Sequence, residues 1–146
     1  MRKLSLLSLV IMTAAAVWFW RSASNEIASP PEAGQIALGR QLYAENCASC
    51  HGANLEGQPG WKTPGPNGRL PAPPHDASGH TWHHADQQLF TITKLGTAAV
   101  VGNGYESDMP GFGSSLTDDE IRAVLFYIKS TWPEREAAYQ QGISRR

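Results

Sequence analysis

Three stretches of the chain repeat apolar residues at a helical period, and long aperiodic segments separate them. Residues 35–46 put Ile36, Leu38, Leu42 and Tyr43 at near-helical spacing and predict a helix. A second is predicted over 87–95, with Leu89, Phe90 and Ile92 inside, Asp86 as its cap and Gly96 as its stop. The third carries the strongest signal. Thr117-Asp118-Asp119-Glu120 is a capping box, and Ile121, Val124, Leu125 and Ile128 then form one face up to about Thr131, before Pro133. Residues 52–79 hold six Pro and six Gly and read as loop, as do 98–115. The segment 134–146 is expected to be a poorly ordered tail. No strand series or internal repeat is visible. The expected class is therefore all-α, three to four helices held apart by loops long enough to need a reason for their order.

Ahead of this pattern lies a different one. Arg2 and Lys3 precede an uncharged run over 4–20, which Arg21 closes. At about 1.5 Å per residue the run reaches about 25 Å, the lower edge of a membrane span. Trp18, Phe19 and Trp20 suit the lipid–water interface. A cleaved signal peptide is the competing reading, since small residues stand at Ala14-Ala15-Ala16 and Ser22-Ala23-Ser24. Run length and the aromatic belt favour an uncleaved N-terminal membrane anchor, a transmembrane helix over 1–21. Both readings export the rest of the chain. The expected organisation is then a linker over 22–34, one domain over 35–133 and the tail.

Composition narrows the classes. With 41% hydrophobic and 17% charged residues in 146, the chain is neither disordered nor wholly membrane-embedded. Beyond residue 21 it carries 9 basic and 13 acidic residues, which excludes a basic nucleic-acid surface. Two cysteines three apart exclude a disulfide framework.

Those cysteines lie in Cys47-Ala48-Ser49-Cys50-His51, the C-x-x-C-H attachment signature of c-type haem. Residues i, i+3 and i+4 share one helical surface, so two thiols reach the two vinyl groups of one porphyrin and His51 projects to the iron. Two other chemistries use such cysteines. A redox-active pair needs a thioredoxin-like strand–helix setting, which is absent from the pattern. A zinc site needs two further ligands, for which His75, His80, His83 and His84 are candidates. The same four histidines also raise the question of a second metal, copper or zinc. Of the three methionines, only Met109 lies outside the N-terminal segment 1–21, in a loop followed by Pro110-Gly111. It is the candidate sixth iron ligand, with a histidine from 75–84 as its rival. Trp61, Arg69 and Trp82 offer N–H donors for the haem propionates, because a buried carboxylate needs partners. Pro71, Pro73 and Pro74 stiffen the loop from which a carbonyl would accept the Nδ1 proton of His51.

At these residues the chain resembles the class I c-type cytochromes over roughly 34–132. Gly39-x-x-Leu42-Tyr43-x-x-x-Cys47 is similar to that family's first helix, with Val124 and Tyr127 as packing partners on its last, and Met109-Pro110 before a Thr-capped helix also matches. A narrower likeness, to small bacterial monohaem cytochromes, runs through 54–59, 69–76, 79–84 and 105–112. The resemblance implies a cytochrome c-like fold around one haem c, with His51 and Met109 as axial ligands. It implies electron transfer as the activity, with no enzyme chemistry and no small-molecule substrate. The partners expected are membrane or periplasmic redox proteins, such as a quinol-oxidising complex, a terminal oxidase or another haem protein. The expected location is the periplasmic side of the cytoplasmic membrane, or the free periplasm if the leader is cleaved. A haem-based ligand sensor, a peroxidase-like enzyme with a labile sixth ligand, and a haem subunit of a larger dehydrogenase are the alternatives.

Overall fold

A computed structural model describes residues 33–145, so the expected anchor over 1–21 lies outside the described residues. Helix α1 spans Ala33–Asn46, α2 Ala48–His51, α3 Asp86–Leu95, α4 Thr97–Val101, α5 Asp118–Ser130 and α6 Glu134–Ser144. A 3₁₀ turn covers Thr81–His83. There is no strand among the described residues, and no helix there is long and apolar enough to cross a membrane.

The principal packing is α1 across α5. Gly39 makes it possible: a Cβ at that position would lie 1.9 Å from the Ala123 carbonyl oxygen and 3.0 Å from the Tyr127 Cβ. The residue directly against Gly39 is therefore Ala123, with Tyr127 beside it, while Val124 points into the core. Leu42, Tyr43, Leu55, Leu89, Val124, Ile128 and Trp132 form that core. Helix α5 begins where the capping box predicts: Thr117 Oγ1 accepts from Glu120 N at 3.3 Å, and Thr117 N donates to Glu120 Oε2 at 2.8 Å.

Three expectations need correction. Asp86 is not the cap of α3; Ala85 holds that position without a side-chain bond, and the Asp86 carboxylate instead meets Lys129 Nζ at 2.6 Å. The segment expected as loop over 98–115 contains α4, too short and too evenly apolar to show a period. The tail expected to be poorly ordered forms α6, in which Glu136 and Gln140 are buried. Gln140 Nε2 lies 2.7 Å from Asp86 Oδ1 and 3.3 Å from the His84 oxygen, so hydrogen bonds rather than an apolar stripe order this helix.

Candidate functional site

The C-x-x-C-H motif sits on an almost unbroken helical backbone. Cys47 N donates to Tyr43 O at 2.9 Å, and His51 N to Cys47 O at 2.9 Å, so α2 continues α1 through Cys47. That continuity puts Cys47, Cys50 and His51 on neighbouring positions of one helical surface. Both thiols are free, Cys47 half-buried and Cys50 exposed. Burial, with Cys50 nearby, pushes the Cys47 thiol up to about 11. A redox-active cysteine pair needs the opposite shift.

His51 is buried, and its Nδ1 lies 2.8 Å from the Pro73 carbonyl oxygen. A carbonyl only accepts, so Nδ1 carries the proton and Nε2 keeps its lone pair. Burial lowers the His51 pKa, and the Pro73 bond offsets part of that. Of the three prolines that the sequence offers beside the motif, Pro73 supplies the carbonyl. The loop that carries it is held by backbone bonds. Gly57 N donates to His51 O at 2.7 Å, Gln58 N to Ala72 O at 2.8 Å, and His75 N to Leu55 O at 2.8 Å. Leu55 adopts a φ of 70°, a strained conformation for a branched residue, with its side chain locked in the core. Two aromatic side chains pin the loop from the helices: Tyr43 OH donates to Gly52 O, and Trp132 Nε1 to His75 O, each at 2.8 Å.

Met109 is placed by a second loop. A Cβ at Gly111 would lie 2.6 Å from the Leu95 carbonyl carbon, so the backbone after Met109 runs directly against the end of α3. Phe112 N and Gly113 N donate to Thr93 O and Lys94 O, both at 3.0 Å. The Thr97 hydroxyl lies 3.3 Å from the Met109 sulfur. Nothing in the sequence marks Thr97; only the fold brings it there. Arg69 joins the two loops, with Nε 3.4 Å from Glu106 Oε2 and Nη1 on Asp108.

The other expected donors separate. Arg69 is engaged by those two carboxylates. Trp61 stacks on His80, ring centroids 5.3 Å apart and 6° from parallel. Trp82 is different: its indole Nε1 is the one buried side-chain nitrogen or oxygen among the described residues without a hydrogen-bond partner. The histidines of the 75–84 segment pack against aromatic rings. His75 stacks on His51 at 4.0 Å and His83 on Trp82 at 3.7 Å, and no group of three or more His, Cys, Asp or Glu among the described residues is arranged to hold an ion.

The residues present fit the haem that the motif implies. They offer two free thiols at attachment spacing, an imidazole with its lone pair on Nε2, a thioether in a fixed loop, and a buried N–H lacking an acceptor.

Comparison with known proteins points the same way. A family model described as cytochrome c matches residues 36–132. The cbb3-type cytochrome c oxidase subunit CcoP of Rubrivivax gelatinosus is 29% identical over 130 residues, which cover 87% of this chain and 36% of that protein. The CcoP subunit of Azospirillum sp. (strain B510) is 31% identical over 97 residues, 66% of this chain and 29% of the relative. Cytochrome c6 of Tetradesmus obliquus is 31% identical over 96 residues, 64% of this chain and 86% of the relative. The chain thus spans about a third of the length of the oxidase subunits it matches. No solved structure matches it.

Proposed function

The chain belongs to the cytochrome c family, whose members carry a covalently attached haem c, and from that premise we propose that it is a one-electron carrier with His51 and Met109 as axial ligands. When bound, the haem supplies a ferric/ferrous couple. Cys47 and Cys50 would hold it by thioether bonds. His51 offers Nε2, and the Pro73 carbonyl keeps the Nδ1 proton in place, which fixes the tautomer and raises the basicity of the ring. That bond is the observation that carries the reading: a buried imidazole already oriented and protonated as a ligand requires. Met109 offers a soft, neutral sulfur, and Thr97 steadies it. Trp82 offers its free N–H to a propionate. With His51 and Met109 both engaged in holding the haem iron, no position would be left for a substrate, and the activity would be electron transfer without a bond made or broken.

The uncharged run over 4–20 supports a location at the periplasmic face of the cytoplasmic membrane, tethered by 1–21 or released after cleavage. The relatives named as oxidase subunits support a redox partner within a membrane complex.

An optical spectrum of both oxidation states, with a pyridine haemochrome assay, tests the proposal. One covalent haem per chain and a weak ferric band from a sulfur–iron bond are expected, and carbon monoxide should not bind rapidly to the reduced protein. Fast stoichiometric binding would replace the carrier with a ligand sensor or peroxidase-like enzyme. N-terminal sequencing of membrane-fraction protein tests the tether, which a start near residue 23 would remove.

A further inference from the structure

Helix α6 lies beyond the matched residues 36–132 and is largely polar, yet it is docked with care. Besides its bonds to Asp86 and His84, Gln140 Nε2 lies 2.9 Å from Ser144 Oγ, and Asp86 N donates to the same hydroxyl at 3.0 Å. The helix is thereby fixed to the start of α3 and to the chain leaving the 3₁₀ turn. One residue before Gln140, the Tyr139 ring meets Trp82 at 5.6 Å and 86°, and His83 at 5.4 Å and 68°. Trp82 and His83 stack on one another, so two rings close on the indole whose N–H has no partner. A three-residue 3₁₀ turn has little stiffness of its own. What holds the indole has to come from outside it.

We propose that α6 is a brace for Trp82, with Tyr139 as the positioning residue that fixes the indole N–H where the haem propionate can accept it. This rests on the reading of Trp82 given above and adds to it a part of the chain outside the matched domain. A buried N–H is costly unless accepted, so its direction has to be specified, and edge-to-face contact with a fixed ring restricts the two torsions of the tryptophan. Tyr139 is itself half exposed, so its truncation opens no core cavity, and an effect at Trp82 reports placement rather than loss of fold.

The test uses the haem-loaded full chain in four forms: wild type, Trp82→Phe, Tyr139→Ala and the double variant. A propionate that loses its N–H partner leaves more negative charge near the iron and favours the ferric state. Trp82→Phe should therefore lower the midpoint potential. Tyr139→Ala should lower it by at least half as much, and the double variant should match Trp82→Phe alone. In the reduced protein, hydrogen exchange at the Trp82 indole should quicken at least tenfold in Tyr139→Ala, and Tyr139→Phe should restore both properties. If Trp82→Phe shifts the potential while Tyr139→Ala changes neither potential nor exchange, the brace is wrong and the role of Trp82 stands. Additive shifts in the double variant would also overturn it. If Trp82→Phe leaves the potential unchanged, the propionate role of Trp82 falls, and the brace with it.

Discussion

The α1–α5 crossing and the two loops that carry His51's partner and Met109 are ordered by different physics. At the crossing, shape decides: Gly39 lets the α5 backbone approach, and Leu42, Tyr43, Val124 and Ile128 fill the space around it. In the loops, single atoms decide: the Pro73 carbonyl on Nδ1, Gly111 against Leu95, Arg69 between Glu106 and Asp108. Packing spreads its specification over many residues of one periodic pattern. The loops concentrate theirs in a few contacts with no period at all. The chemistry sits where the contacts are few, and that is what makes its placement specific.

The comparison breaks most visibly at Gly39. A Gly39→Val side chain would collide with the Ala123 carbonyl, and we expect a loss of about 3 kcal/mol or more, so that little haem-loaded protein accumulates. Haem content per chain and the urea midpoint check this. Met109→Leu should do the reverse, leaving the crossing intact and removing the chemistry. The weak ferric sulfur–iron band should vanish, carbon monoxide should bind the reduced form, and the reduction potential should fall by on the order of 0.1 V, within the ~0.8 V that axial ligands command. An unchanged potential would remove Met109 from the iron. Thr117→Ala loses the side-chain half of the capping box and should cost about 1 kcal/mol with no change in potential. The smallest effect is expected of Arg69→Ala. Glu106 and Asp108 are exposed and Arg69 is only half-buried, so the Met109 loop should loosen only slightly at low salt, seen as loss of the sulfur–iron band at a lower temperature. The difference from wild type should disappear near 1 M salt, where screening acts over about 3 Å.

This contrast also explains what can be read from the amino-acid order. Helices α1 and α5 are legible because Leu42, Tyr43, Val124 and Ile128 recur at a helical period and Thr117 with Glu120 announces a start. The attachment motif is legible because its chemistry is local, all within five residues. The Pro73 carbonyl is legible only as one of three prolines, since choosing among them takes the course of the loop back to His51. Thr97 is invisible beside Met109, because nothing local links residues twelve apart across a turn. Asp86 reads as a cap, the commonest local use of an acid at a helix start, but its tertiary pairing with Lys129 and Gln140 prevails. Helix α6 escapes the periodic pattern because its docking comes from the buried polar side chain of Gln140, whose partners His84 and Asp86 lie more than fifty residues away.

The two helices that meet at Gly39 lie about eighty residues apart along the chain. During synthesis from the N-terminus, α1 and the cysteines just after it emerge long before α5 exists to pack on α1. Until then the glycine face has no mate, and the thiols stand on an unclosed scaffold open to a maturation catalyst. Where the partner helix falls in the primary structure thus opens an interval in which the cysteines precede closure, and moving α5 to the front by circular permutation would remove that interval.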